Sequence, residues 1–125
     1  MKDILAWALN LATQRGASYA DARIVDDRSR SLATKNGRVG HASDAESLGM
    51  GIRVIADGAW GFAASDDLSR AAVEATAARA FAIARASARV KQENVQLAPE
   101  KAVVAEWVTP FQIDPFTISV EQNLD

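Results

Sequence analysis

The stretch from Gly49 to Ser65, GMGIRVIADGAWGFAAS, sets a two-residue turn between two runs of extended character, and its reading decides the fold. Asp57-Gly58 suits a type I′ turn, in which both central residues take positive φ, so Leu48–Ala56 and Ala59–Ala64 are expected to pair as an antiparallel hairpin. Side chains alternate along a strand, which puts Leu48, Met50, Ile52 and Val54 on one face and Gly49, Gly51 and Arg53 on the other. Glycine weakens a strand, so at alternate positions it marks a bulge, a bend, or a place where another backbone or a ring lies against the sheet. Trp60 and Phe62 can supply such rings, although aromatic residues in strands are more often sheet core than a platform for a ligand.

Upstream, Asn36-Gly37 signals a second tight turn, which should pair Leu32–Lys35 with Arg38–Ala42. Before it, Ala20, Ala22 and Ile24 alternate with Asp21, Arg23 and Val25, the period of a half-buried strand. The chain opens with Ile4, Trp7, Ala8, Leu11 and Ala12 at helical spacing, with Asp3 as a candidate cap and Gly16 as the stop. Downstream of the glycine-rich stretch, Ser65, Asp66 and Asp67 offer caps for a long Ala-rich helix. Its expected inner stripe is Leu68, Ala72, Thr76, Ala80, Ile83 and Val90, with Arg70, Glu74, Arg85 and Arg89 opposite. The fold class is α+β: an antiparallel β-meander with two main helices, one N-terminal and one Ala-rich, packed on one face of the sheet.

Beyond Pro99, Val103–Val108 reads as a further strand, Pro110 and Pro115 punctuate a linker, and Ser119 with Gln122 forms a capping-box pattern. Residues 1–109 are therefore expected to form a compact domain, with 110–125 a linker and the start of the next. A final helix of a few residues cannot bury a useful face, which implies a fragment of a longer chain.

Composition narrows the function. The 125 residues are 49% hydrophobic, enough for one core,. The 14 Lys and Arg against 16 Asp and Glu leave a net charge of −2, which argues against an electrostatic grip on nucleic acid or anionic lipid. The first apolar run is too short to span a bilayer and reads poorly as a signal peptide, so a cytoplasmic setting is expected. Cysteine is absent and His41 is the only histidine, so neither a Cys/His cluster nor an HExxH helix can be assembled, and no catalytic or metal-ligating residue is assigned. A serine triad through His41 would need a GxSxG elbow, which the chain lacks. Gly49-x-Gly51 lies inside a strand with no helix following, so it does not make a phosphate loop. Asp21 and Arg23 share a strand face and are placed to form an i,i+2 ion pair, with acid–base catalysis by Asp21 the weaker reading.

In combination, YADARI (19–24), NGRV (36–39), the 49–65 stretch, the Ala-rich helix and IDPF (113–116) resemble the N-terminal domain of the TldD/PmbA family, also called peptidase U62 or modulator of DNA gyrase. The GAWGFA and DPF segments look closer to its TldD branch. The resemblance implies a cytoplasmic zinc metallopeptidase that acts as a TldD/TldE heterodimer on unfolded or modified peptides. It also implies a metal site, HExxxH plus a cysteine, in a later part of the chain, so no catalytic residue transfers here and no cofactor belongs to this segment. What transfers is an accessory role in the substrate cleft and the subunit interface. The implied partners are the remainder of a TldD-like chain, a TldE/PmbA-like subunit and an extended peptide. Gly49, Gly51, Arg53, Trp60 and Phe62 are the candidate contact residues, whether for peptide or for a neighbouring layer. The rival expectation is a stand-alone regulatory interaction module.

Overall fold

A computed structural model describes residues 1–124 and resolves the chain into α1 (Lys2–Gln14), β1 (Tyr19–Lys35), β2 (Arg38–Ala56), β3 (Ala59–Ser65), α2 (Arg70–Ala88), a 3-10 turn (Pro115–Thr117) and α3 (Val120–Leu124). The three strands form one sheet in the order β1-β2-β3. Two compact units divide the chain. One comprises Met1–Ser29 and Asp44–Leu97, and the other comprises Arg30–Ser43 together with the chain from Ala98 on.

Both hairpin turns form where the sequence places them. Asn36 and Gly37 have φ of 53° and 71°, and Asp57 and Gly58 have φ of 51° and 74°, the left-handed pair a type I′ turn requires. The register of the second hairpin runs from Ala56↔Ala59 to Met50↔Ser65. The separate short strands expected on either side of Asn36-Gly37 are instead continuous: Asp26 to Ser31 and Ser43 to Ser47 stay extended within β1 and β2. These segments are polar but contain no glycine or proline to turn the chain, and Arg28 of β1 pairs with Glu46 of β2 at 3.2 Å. Polarity on both faces marks exposure here, and it does not interrupt a strand.

In the first unit, α1 and α2 pack together and on the same face of the sheet. The core joins Ala8 and Ala12 of α1, Met50, Ile52 and Val54 of β2, Ala63 of β3, and Val73, Ala77, Ala80 and Ala84 of α2, with Ala20, Ala22 and Ile24 of β1 packed against it. Gly16, at φ 100°, closes α1 in a Schellman arrangement: its N–H donates to Thr13 O at 3.0 Å and that of Ala17 donates to Ala12 O at 3.1 Å,. Asp3 is not the cap of α1. Met1 holds the N-cap position and Asp3 lies in the first turn, where its charge still opposes the helix dipole favourably,.

The cap of α2 is Ser69, whose Oγ accepts from Ala72 N at 3.3 Å. Of the three expected caps, Ser65 and Asp67 build the turn before the helix: Ser65 Oγ accepts from Asp67 N at 3.1 Å, and Asp67 Oδ1 accepts from Ser69 N at 2.8 Å. That last bond holds the Asp67 carboxyl below the usual carboxylate range,. The buried stripe of α2 is Val73, Thr76, Ala77, Ala80 and Ala84, whereas Ile83 is 40% and Val90 82% exposed. A helix of alanines lacks the size contrast that would reveal its inner face, and the small residues win the inside because they let α2 approach the sheet closely.

In the second unit, the strand expected over Val103–Val108 does not form. The segment has no regular structure, and Val104 and Trp107 are 87% and 77% exposed. An apolar run becomes a strand only beside a strand with free hydrogen-bonding groups, and no strand is paired with it here,. The capping box does form: Gln122 N donates to Ser119 Oγ and Ser119 N donates to Gln122 Oε1, both at 3.2 Å,. Asp114 caps the 3-10 turn through Phe116 N at 2.9 Å, and Arg30 donates to Ile118 O at 2.9 Å with its guanidinium 5.6 Å from the Phe116 ring.

Candidate functional site

The helices cover one face of the sheet, and the residues of opposite parity line the other. Tyr19, Asp21, Arg23 and Val25 of β1, Gly49, Gly51 and Arg53 of β2, and Trp60, Phe62 and Ala64 of β3 belong to this second face,. All five residues singled out in the sequence, Gly49, Gly51, Arg53, Trp60 and Phe62, therefore lie on one surface. Most of the face lines a broad, shallow depression of about 820 Å3, to which Asp21, Arg23, Val25, Gly49, Gly51 and Phe62 contribute.

Local packing explains the glycines one at a time. A Cβ on Gly51 would lie 2.9 Å from the Phe62 ring, so the ring rests across this position, diagonal to its register partner Arg53,. At Gly49 the same atom would meet only Ser65 O, at 3.6 Å. Gly61 faces the other way, under α2, with the backbone of Ala80 and Ala84 directly above it. The sequence thus mixes two uses of glycine, one for helix approach and one for a ring on the open face. Phe62 is 58% exposed, so the burial preference that favoured a core role fails for it. Its side chain alternates outward from Gly61 and Ala63, which face the helices.

A polar cluster anchors the middle of this face. Asp21 Oδ2 accepts from Arg53 Nε at 2.8 Å and Nη2 at 2.7 Å, and from Tyr19 Oη at 3.0 Å. The Arg53 guanidinium lies 4.8 Å from the Trp60 ring centroid, and Tyr19 meets Trp60 edge to face at 5.8 Å,. Asp21 consequently pairs across strands with Arg53 and not with Arg23, its expected i,i+2 partner. Residues two apart on a strand stand about 7 Å from each other, whereas neighbouring strands are nearer. Its oxygen is shared among three donors, which makes Asp21 the acceptor that joins Tyr19 and Arg53. The sequence contained the signal for this cluster: positions 19, 21 and 23 have the parity that faces away from Ala20, Ala22 and Ile24.

The hydrogen bond to Asp21, reinforced by partial burial and the carboxylate charge, raises the Tyr19 phenol above its ordinary pKa,. The protonated phenol makes the bond and the phenolate would face a carboxylate. This contribution to stability is therefore complete below the unfolded pKa of about 10 and is lost as pH rises through the folded value. Tyr19 is the only tyrosine, so phenolate absorbance near 295 nm reports it alone. Its midpoint is expected above that of free tyrosine, and Asp21→Asn should lower it. A midpoint at or below the free value would show that the bond does not hold.

His41, exposed on β2, exchanges a hydrogen bond with Ser43 Oγ at 3.1 Å. Among the described residues no group of three or more His, Cys, Asp or Glu side chains could hold a metal ion, and no helix is long and apolar enough to cross a membrane.

Comparison with known proteins gives this geometry a family context. Residues 20–84, from β1 into α2, match the family described as PmbA/TldA metallopeptidase, domain 1. Over 105 residues the chain is 26% identical to a metalloprotease of Methanocaldococcus jannaschii, covering 84% of this chain and 23% of that protein. Over 52 residues it is 38% identical to a metalloprotease of Methanothermobacter thermautotrophicus, covering 42% and 12%. The solved structure of TldE from Thermococcus kodakarensis superposes with a TM-score of 0.65 at 16% identity, over 86% of this chain and 24% of that one. That likeness is one of fold. The chain spans about a quarter or less of the length of the relatives it matches.

Proposed function

Because the chain belongs to the PmbA/TldD metallopeptidase family through the first domain of that family, we propose that it acts as a non-catalytic accessory domain of a TldD-like zinc metallopeptidase. The observation that carries this reading is the pairing of a family match with a missing ligand set: the matched residues build a sheet with one open face, and among the described residues no three His, Cys, Asp or Glu side chains gather to hold a metal. Zinc requires about four N, S or O ligands in tetrahedral array. With one histidine, no cysteine and, among the described residues, no group of three potential ligands, the residues present do not fit that need. The metal is expected on residues outside this sequence, and no catalytic step runs through this one.

The domain's task in this reading is to shape the substrate cleft and the subunit interface, with residues 1–109 as the domain and 110–125 leading onward. Gly49, Gly51, Arg53, Trp60 and Phe62 make the contact face. Gly49 leaves the strand backbone approachable, the Phe62 ring lies across Gly51 and offers apolar area, and Arg53 holds Trp60 in place from the Asp21 side. A face of this kind accepts an extended peptide without demanding much of its sequence, which suits a peptidase acting on unfolded chains. The partners are the remainder of a TldD-like chain and a TldE/PmbA-like subunit, a pairing supported by the TldE fold likeness.

The test is direct. The 125-residue chain, dialysed against a chelator and then given zinc, should retain no stoichiometric metal and should not hydrolyse casein. Stoichiometric zinc after gel filtration, or casein cleavage that follows the protein through purification, would overturn the reading.

A further inference from the structure

The depression on the open face carries a charge pattern that favours one kind of peptide. Asp21 is neutralised by Arg53 at 2.7 Å, which leaves Arg23 and Asp66 as the other charged side chains lining it. They stand apart: Arg23 is on β1, one edge of the sheet, and Asp66 follows β3, the other edge. Among the described residues the Arg23 side chain makes no hydrogen bond, ion pair or ring contact, and the residue is exposed. Beside it in the same lining lie Gly49 and Gly51, without side chains, and the apolar Val25, Leu48 and Phe62, which are 53%, 43% and 58% exposed.

We propose that this depression accepts a carboxylate-bearing stretch of extended peptide, with Arg23 meeting the carboxylate. The inference rests on the reading of this face as a peptide contact and adds a preference to it. A guanidinium forms two parallel N–H···O bonds with a carboxylate, a geometry that a neutral amide side chain cannot match in strength. Gly49, where nothing lies closer than Ser65 O at 3.6 Å, lets the peptide main chain come close, and the apolar Val25 and Phe62 side chains take its neighbouring residues,. Asp66, at the far edge, repels an anion and sets the direction in which the acidic group points.

The experiment is an NMR titration of the 125-residue chain with two capped peptides of alternating threonine and valine, one with a central glutamate and one with glutamine in its place. The glutamate peptide should bind about fivefold more tightly, the margin of a partly exposed charged hydrogen bond. Its shifts should centre on Arg23, Gly49, Gly51 and Phe62, and added salt should erase the margin. In Arg23→Gln, whose exposed position leaves the fold intact, the two peptides should bind equally at the affinity of the glutamine peptide. Equal binding of both peptides to the unaltered chain would overturn the preference while leaving the peptide-contact reading in place. An unchanged margin in Arg23→Gln would overturn the role of Arg23. No shift on this face with either peptide would overturn the preference and the peptide contact together, a result separate from that of the zinc and casein test.

Discussion

Replacing Gly61 by alanine is expected to destabilise the protein by about 3 kcal/mol or more, although the change adds one methyl group. The added Cβ would fall inside the van der Waals envelope of the Ala80 carbonyl oxygen, 2.5 Å from Ala84 N and 2.9 Å from Ala84 Cβ. Every one of those atoms is backbone or the first atom of a side chain, so no rotamer change relieves the clash. Helix α2 would have to lift from β3, opening gaps around Val73, Ala77 and Ala80, all fully buried. Overpacking of this kind ordinarily costs about 1–3 kcal/mol, and a clash with backbone on both sides belongs at or beyond the upper end. In a domain of this size the loss corresponds to a fall in melting temperature of about 10 °C or more. Gly51→Ala is the matched control. There the added Cβ meets only the outer edge of the exposed Phe62 ring, which can swing away, and the cost should stay below about 1 kcal/mol. Thermal melts of the two variants decide the point: similar midpoints would show that α2 does not rest on Gly61.

The contrast explains which parts of the fold were legible in the sequence. Asn36-Gly37, Asp57-Gly58, Gly16 and the Ser119–Gln122 box report conditions that a few consecutive residues impose on themselves, positive φ or an orphan N–H, and each forms as read. The face of β2 was equally plain because Met50, Ile52 and Val54 alternate with glycine and arginine, a sharp contrast at period two. The inner face of α2 was not legible, since alanine at most positions gives no contrast: size alone favours Ile83 for the stripe, yet Ile83 is exposed and Ala84 is buried. Val103–Val108 failed for a different reason: an apolar run becomes a strand only with a partner strand beside it, and local sequence does not supply one. Within the candidate site, sequence parity grouped Gly49, Gly51 and Arg53. The cross-strand bond from Arg53 to Asp21 depends on how β1 lies beside β2, which no local pattern specifies,.

The two faces of the sheet should therefore answer truncation in opposite ways. Ile52 is fully buried between the helices and the strands, and Ile52→Ala removes three carbon atoms from a close-packed site whose neighbours are held by two helices. The lost transfer free energy and the residual cavity together should cost about 3 kcal/mol, within the range of about 2–5 for such changes. Phe62 loses more atoms on truncation, yet more than half of its surface already faces solvent. Its contact with Gly51 is with a residue that has no side chain to lose. Phe62→Ala should thus cost less than about 1 kcal/mol, in the range of ordinary surface substitutions. In the proposed reading, an exposed aromatic that contributes little to stability is available as a contact residue on the open face. Urea unfolding of both variants checks the argument. A loss for Phe62→Ala equal to that for Ile52→Ala would mean that the open face is part of the core, and the case for Phe62 as a contact residue would fall with it.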